Sequence, residues 1–150
     1  MNENTKKLFE TLFSALVMNR HNIHVLHWKC CGTDFEDVHT LMDSYLDKFN
    51  SLIDGIGEIM MELNINPLCL CSIIKNLEED DEEYICISGD INYTSEKVFE
   101  HIATMFKRLI HLYEDIIEDE DIPSDIVSVL DEHKQWLRLE RDYKNIQRVQ

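Results

Sequence analysis

His27, His39, Asp54 and Glu58 are the residues of this 150-residue chain whose types and spacing most suggest chemistry. All four fall in the stretch HWKCCGTDFEDVHTLMDSYLDKFNSLIDGIGE. The histidines stand twelve residues apart, Asp54 follows fifteen after the second, and Glu58 four after that. Imidazole and carboxylate together suit a divalent first-row metal. Fe(II) fits such a donor set well where coordination positions stay open for an oxidant, and zinc or manganese would accept the same ligands. Whether the four can meet depends on the elements that carry them.

Apolar residues recur at helical spacing from Asn4 to about Trp28, as Leu8, Leu12, Ala15, Leu16, Ile23 and Leu26, with Asn19 as one polar lapse. This first helix should close near Cys31 and Gly32, because glycine tolerates the left-handed conformation that ends helices. Thr33 followed by Glu36 reads as a capping box opening a second helix. That helix carries the clearest pattern in the chain: Val38, Leu41, Met42, Tyr45, Phe49, Leu52, Ile53, Ile56, Ile59, Met60 and Leu63. Residues 64–67 should stop it, Pro67 being unable to continue the hydrogen-bond ladder.

A third helix, capped by Thr94 or Ser95, carries Val98, Ile102, Met105, Leu109, Leu112 and Ile116. The fourth, with Pro123 near its first turn, runs through Ile126, Val129, Leu130, His133 and Leu137 towards Tyr143. Between the second and third helices lie about thirty residues, long for a simple loop. They hold LCLCSIIKNL, which predicts a short helix, the acidic run EEDDEE and the brief apolar alternation YICIS. Short loop, long crossover, short loop is the connectivity of a ferritin-like four-helix bundle. The expected fold is therefore all-α, a single domain over residues 1–150 whose one long crossover contains a short helix.

On that framework the four candidate ligands divide. Asp54 and Glu58 lie one turn apart on a single helix face. His39, fifteen residues earlier on the same helix, is roughly 22 Å away at about 1.5 Å per residue. His27 can approach His39 because a short connection brings the two helix ends together. Each chain thus offers a histidine pair at one height and a carboxylate pair at another. Either the pairs are unrelated, or the second helices of two subunits run antiparallel across a two-fold axis so that each pair meets its complement. Asp54 and Glu58 point roughly 160° to 200° from the apolar stripe, at about 100° per residue. That places them on an outer face, where a solvated acidic surface shared with Asp43 and Asp47 is the plain alternative. Gly55 and Gly57 tilt the balance towards close approach of another backbone, since each costs about 1 kcal/mol relative to Ala within a helix. An intrabundle di-iron site is disfavoured, because only Glu36 and His39 have the Glu-x-x-His spacing.

These residues resemble the Dps family of mini-ferritins, in which a His-Trp pair, a Gly, a Phe, a second His and an Asp-x-x-x-Glu follow at the intervals of His27-Trp28, Gly32, Phe35, His39, and Asp54 with Glu58. The similarity continues through Leu63, Pro67 and Trp136-Leu137 and so covers nearly the whole chain. It implies a ferroxidase that oxidises Fe(II) with hydrogen peroxide or oxygen and stores ferric mineral in a hollow oligomer, limiting oxidative damage. It further implies a dodecamer of two-fold dimers, with His27 and His39 of one subunit sharing a metal site with Asp54 and Glu58 of its mate. Iron would be the metal, one or two ions per centre, with zinc as a substitute. Thr33, Met42 and Ile59 depart from the family pattern; Ile59 stands where an Arg often follows the ligand Glu.

Other features carry weaker signals. His24 could assist the site, Trp28 could shield it or intercept oxidising equivalents, and the acidic segment from Glu118 to Asp121, with Asp125, could line a cation pore. His21 continues the histidine series on the first helix, while His101, His111 and His133 read as structural or surface residues. Cys30-Cys31 and Cys69-x-Cys71 match zinc patterns poorly and read as small buried residues. Arg138, Arg141, Lys144 and Arg148 are the bases from which a DNA contact could be built. The competing reading is a non-catalytic, structural or DNA-associated assembly protein whose site holds zinc or nothing.

Composition weighs among these. A formal charge of −16 opposes general affinity for nucleic acid, which needs clustered Lys and Arg to release counterions. A cation is the expected partner. The segment MNENTKKLFE lacks the apolar run of a secretory signal. No stretch approaches the roughly 20 apolar residues that would span a bilayer, so no membrane partner is expected. Five cysteines form no disulfide framework, which points to a reducing, cytoplasmic compartment.

Overall fold

The computed structural model describes residues 2–79 and 86–149, the side chains of 143–149 excepted. Four long helices form the bundle: α1 (Glu3–Lys29), α2 (Phe35–Glu62), α4 (Ser95–Ile117) and α5 (Ser124–Val149). The crossover between α2 and α4 holds the short helix α3 (Leu70–Glu79). Two-residue strands β1 (Cys30–Cys31) and β2 (Tyr93–Thr94) pair in parallel, Cys30 opposite Tyr93 and Cys31 opposite Thr94. The expected all-α bundle with one long crossover is therefore the observed one. The strand pair, too short to leave a periodic signal, ties the end of the crossover to the α1–α2 turn. Most of the acidic run at 78–83 and part of YICIS lie outside the described residues.

Local chemistry explains each boundary, and it differs in places from the sequence reading. Asn2 caps α1, its side-chain oxygen accepting from the Thr5 amide at 2.8 Å, a bond worth about 1 kcal/mol. The helix ends at Lys29, earlier than Gly32, because Cys30 is already extended and belongs to the strand pair. Gly32, at φ +116°, instead turns the chain into α2. The predicted capping box of Thr33 and Glu36 does not form: Asp34 occupies the cap without a side-chain bond. The Gly32 carbonyl accepts from the Phe35 amide at 3.3 Å, so the turn closes through backbone alone. At its far end α2 stops at Glu62, five residues before Pro67. The Ile65 amide reaches Met60 O at 2.8 Å and the Asn64 amide reaches Met61 O at 3.1 Å, with Asn64 left-handed at φ 60°. This is a Schellman closure with Asn in the place usually held by Gly. Thr94 caps α4 as expected, accepting from the Lys97 amide. Pro123 sits just before α5, where its carbonyl accepts from Val127 N at 3.0 Å.

The core is drawn from all four long helices, with Phe9, Leu12, Leu16, Met42, Phe49, Ile56, Phe106, Leu109 and Leu130 fully buried. Tyr45, Phe49, Phe106 and Trp136 cluster with ring centroids 5.3 to 6.3 Å apart, bridging α2, α4 and α5. The apolar stripe of α2 is narrower than its sequence pattern: Leu41, Ile53 and Leu63 are only partly buried, while Leu46 is buried. On α5, Val129 faces out. The polar lapse at Asn19 is genuine burial; Asn22 donates to it at 3.4 Å and accepts from the amide of Ile87, pinning the returning crossover to α1. Cys30 is buried, but Cys69, Cys71 and Cys86 are exposed, correcting the expectation that Cys69 and Cys71 fill the interior. Of these only Cys71 lies on α3, which stands outside the four-helix bundle and buries only Ile73 and Leu77. No helix among the described residues is long and apolar enough to cross a membrane.

Candidate metal centre

The reversal through β1 and Gly32 sets the last turn of α1 against the opening turns of α2, and with it His27 against His39. Their rings stack with centroids 3.7 Å apart and planes 22° from parallel. The Nδ1–H of His27 donates to the His39 carbonyl at 3.0 Å, and that of His39 donates to the His27 carbonyl at 2.9 Å. A carbonyl can only accept, so each Nδ1 carries the hydrogen. In the neutral rings the lone pair then lies on Nε2. Tying the far nitrogen to a backbone carbonyl is how proteins orient a ligating imidazole and fix its tautomer.

Asp43, one turn beyond His39, places Oδ1 3.9 Å from His27 Nε2. The sequence reading assigned Asp43 to a solvated acidic face; the usable signal was its i,i+4 relation to His39. Phe35 stacks on His39 with centroids 5.0 Å apart. His24 stacks on Trp28 at 3.7 Å and lies 6.0 Å from His27. Burial, then the charge of Arg20, lowers the His24 pKa. Trp28 is 56% exposed, so its ring fills no interior space in this chain.

Asp54 and Glu58 are exposed on the outer face of α2, as the angular argument required. The structure brings His27 to His39 and does not bring Asp54 or Glu58 to either. Among the described residues no group of three or more His, Cys, Asp or Glu side chains stands close enough to hold a metal. One chain thus presents a histidine pair and a separate carboxylate pair.

Of the two glycines between the carboxylates, Gly55 has a close neighbour within the chain and Gly57 does not. A Cβ at Gly55 would stand 3.1 Å from Cε1 of His133 and 3.3 Å from its Nε2. The close neighbour is thus a side chain of α5 in the same chain. At Gly57 the nearest atom would be Phe13 Cε2, at an ordinary 3.8 Å. His133 accepts from, or donates to, the Tyr113 hydroxyl through Nδ1 at 2.8 Å. Burial, with Lys48 adding a smaller effect, pushes the His133 pKa down to about 4. The ring is therefore neutral at neutral pH, and in the tautomer with its hydrogen on Nε2 the Tyr113 hydroxyl is the donor.

Other candidates take structural places. His101 meets Tyr93 edge-on at 5.6 Å, and His21 and His111 are exposed. Asp119 accepts from the Thr5 hydroxyl and from the Asp121 amide, which hold its carboxyl below the usual range. Asp121 accepts from Asn2 at 2.9 Å. That part of the acidic segment fastens the α4–α5 loop to the start of α1, while Glu118, Glu120 and Asp125 stay exposed.

No protein-family model matches the chain. The "DNA protection during starvation protein" of Helicobacter pylori is 24% identical over 119 residues, 79% of each chain. Among solved structures, Helicobacter cinaedi CAIP superposes with a TM-score of 0.84 at 15% identity, over 95% of this chain and 98% of its own. The DPS protein of Vibrio cholerae O1, described as a member of a broad superfamily of ferritin-like diiron-carboxylate proteins, gives 0.80 at 14% identity, over 96% and 88%. The fold is that of a Dps-like mini-ferritin.

Proposed function

We propose that the chain is the subunit of a mini-ferritin ferroxidase, which oxidises Fe(II) with hydrogen peroxide or oxygen and stores the ferric product in a hollow oligomer. The observation that carries this reading is the reciprocal pair of Nδ1–H bonds between His27 and His39. It holds two imidazoles in one tautomer and leaves both Nε2 lone pairs free to ligate.

In this reading Fe(II) is the substrate, bound by His27 and His39 of one subunit and by Asp54 and Glu58 of a second copy across a two-fold axis. Asp43 adds a carboxylate beside His27 Nε2. Two neutral imidazoles with carboxylates neutralise the ferrous charge without closing the coordination shell, which leaves room for the oxidant. The increase in charge on oxidation favours the carboxylates over the imidazoles, and the exposed acids of α2 then offer the ferric ion a way onward. The assembly is a dodecamer of such dimers, with zinc as a competing occupant. Spending peroxide and ferrous iron together limits hydroxyl-radical formation.

A DNA-associated role finds little support. The net charge is −16, and Arg141 is engaged by Asp142 at 3.0 Å. The side chains of Lys144 and Arg148 lie outside the described residues.

The test is a stopped-flow assay of ferric absorbance after Fe(II) and peroxide are added to the wild type, to His39→Ala and to Asp54→Ala. Both variants should lose the fast phase. Rates equal to wild type would overturn the ferroxidase assignment.

A further inference from the structure

Tyr113 and His133 form a polar pair in the core that iron binding does not itself employ. Tyr113 is wholly buried, and its hydroxyl lies 2.8 Å from His133 Nδ1, to which it donates when the imidazole carries its hydrogen on Nε2. The rings meet edge-on with centroids 5.5 Å apart. Burial raises the phenol pKa far above its ordinary value and lowers that of the imidazole, so both groups are neutral and joined by one committed hydrogen bond. Apolar side chains could fill this space without the desolvation cost of two polar groups.

Position gives the pair its interest. The ring of His133 lies against α2 at Gly55, where no Cβ would fit without displacing it. Gly55 directly follows Asp54 and precedes Glu58 by three residues. The Tyr–His pair is therefore one van der Waals contact from the backbone that carries both carboxylates. A second buried phenol, Tyr45, donates to Glu140 at 2.9 Å. It stands nine residues before Asp54 on α2, roughly 13 Å along the helix axis.

We propose that Tyr113, with His133 as its proton acceptor, is a reversible one-electron store that serves the iron site. The inference rests on the ferroxidase reading above. Reducing peroxide takes two electrons, and each ferrous ion supplies one. The first Fe(II) cleaves the O–O bond, giving Fe(III), hydroxide and an oxidant of the hydroxyl-radical class. Tyr113 reduces that oxidant to a second hydroxide; its O–H bond breaks as the proton passes to His133 Nδ1, leaving a neutral phenoxyl beside an imidazolium. A second Fe(II) returns the electron, and His133 returns the proton. In sum, two Fe(II) and one hydrogen peroxide become two Fe(III) and two hydroxides, and no radical is released. The preformed hydrogen bond lets the proton move with the electron, so the core is never left holding a charged phenol radical.

Freeze-quench electron paramagnetic resonance on the assembled protein tests this. Samples are loaded anaerobically with Fe(II) and mixed with peroxide, ferric absorbance is read in parallel, and a spin trap in the buffer reports escaping hydroxyl radical. Wild type should show a tyrosyl signal that narrows when its tyrosines are ring-deuterated. Tyr113→Phe should lose that signal and increase the spin adduct. His133→Gln, which keeps a hydrogen-bond acceptor but offers no comparable base, should lose it too, while Tyr45→Phe should retain it. Iron oxidation without a tyrosyl signal in wild type, or a signal undiminished in Tyr113→Phe, would overturn the electron store and leave the ferroxidase reading standing. Absence of ferric product in wild type would overturn both.

Discussion

The imidazole of His133 lies so close to the backbone of Gly55 that a Cβ at position 55 would stand 3.1 Å from its Cε1. The ring cannot easily give way, because Nδ1 is held by Tyr113 at 2.8 Å. Two neighbouring glycines of α2 should therefore respond with opposite signs. Gly55→Ala gains up to about 1 kcal/mol of helix propensity and loses more to overpacking, typically about 1–3 kcal/mol; it should lower the midpoint of chemical denaturation. Gly57→Ala meets only Phe13, at 3.8 Å, and should raise stability by about 0.5–1 kcal/mol. Denaturant melts of the two variants decide the matter.

The proposed sharing of the site between subunits predicts complementation. His39→Ala and Asp54→Ala homo-oligomers should each be inactive. When the two are unfolded, mixed in equal amounts and refolded, half the dimers are mixed. Each mixed dimer has one site with all four ligands, so about a quarter of the sites recover, as an isologous interface requires. Activity that stays at zero on mixing would show that the two half-sites do not meet.

His133 gives the protein a definite response to acid. Its pKa in the fold, about 4, lies below the ordinary 6.5, so the unfolded chain binds the extra proton first. Its contribution to stability is complete above pH 6.5 and is lost progressively as the pH falls towards 4. His133→Gln should flatten the thermal-melting midpoint across that window relative to wild type.

Asn64 closes α2 at φ 60°, a conformation that costs a β-branched residue roughly 1–2 kcal/mol. Asn64→Gly should be neutral or slightly stabilising, and Asn64→Val should destabilise by about that amount. Pro67→Ala should leave the end of α2 where it is, because the closure depends on the Ile65 and Asn64 amides. Helicity and melting temperature by circular dichroism check all three.

Much of this protein could be read from its residues one after another. Apolar spacing determined four long helices, their order and the long crossover, because a helix face must repeat every three or four residues to be buried. The same geometry separated His39 from Asp54 along one rod and placed Asp54 and Glu58 on its outer face. Tertiary structure decided whatever depends on residues distant in sequence. The pairing of Cys30 with Tyr93 spans the crossover, and the role of Gly55 lies in a ring on another helix. The tautomers of His27 and His39 are set by each other's carbonyls, and Asp43 becomes a candidate donor only once His27 is brought beside it. Sequence periodicity reports which face of an element is buried; it carries no record of which atoms wait on the other side.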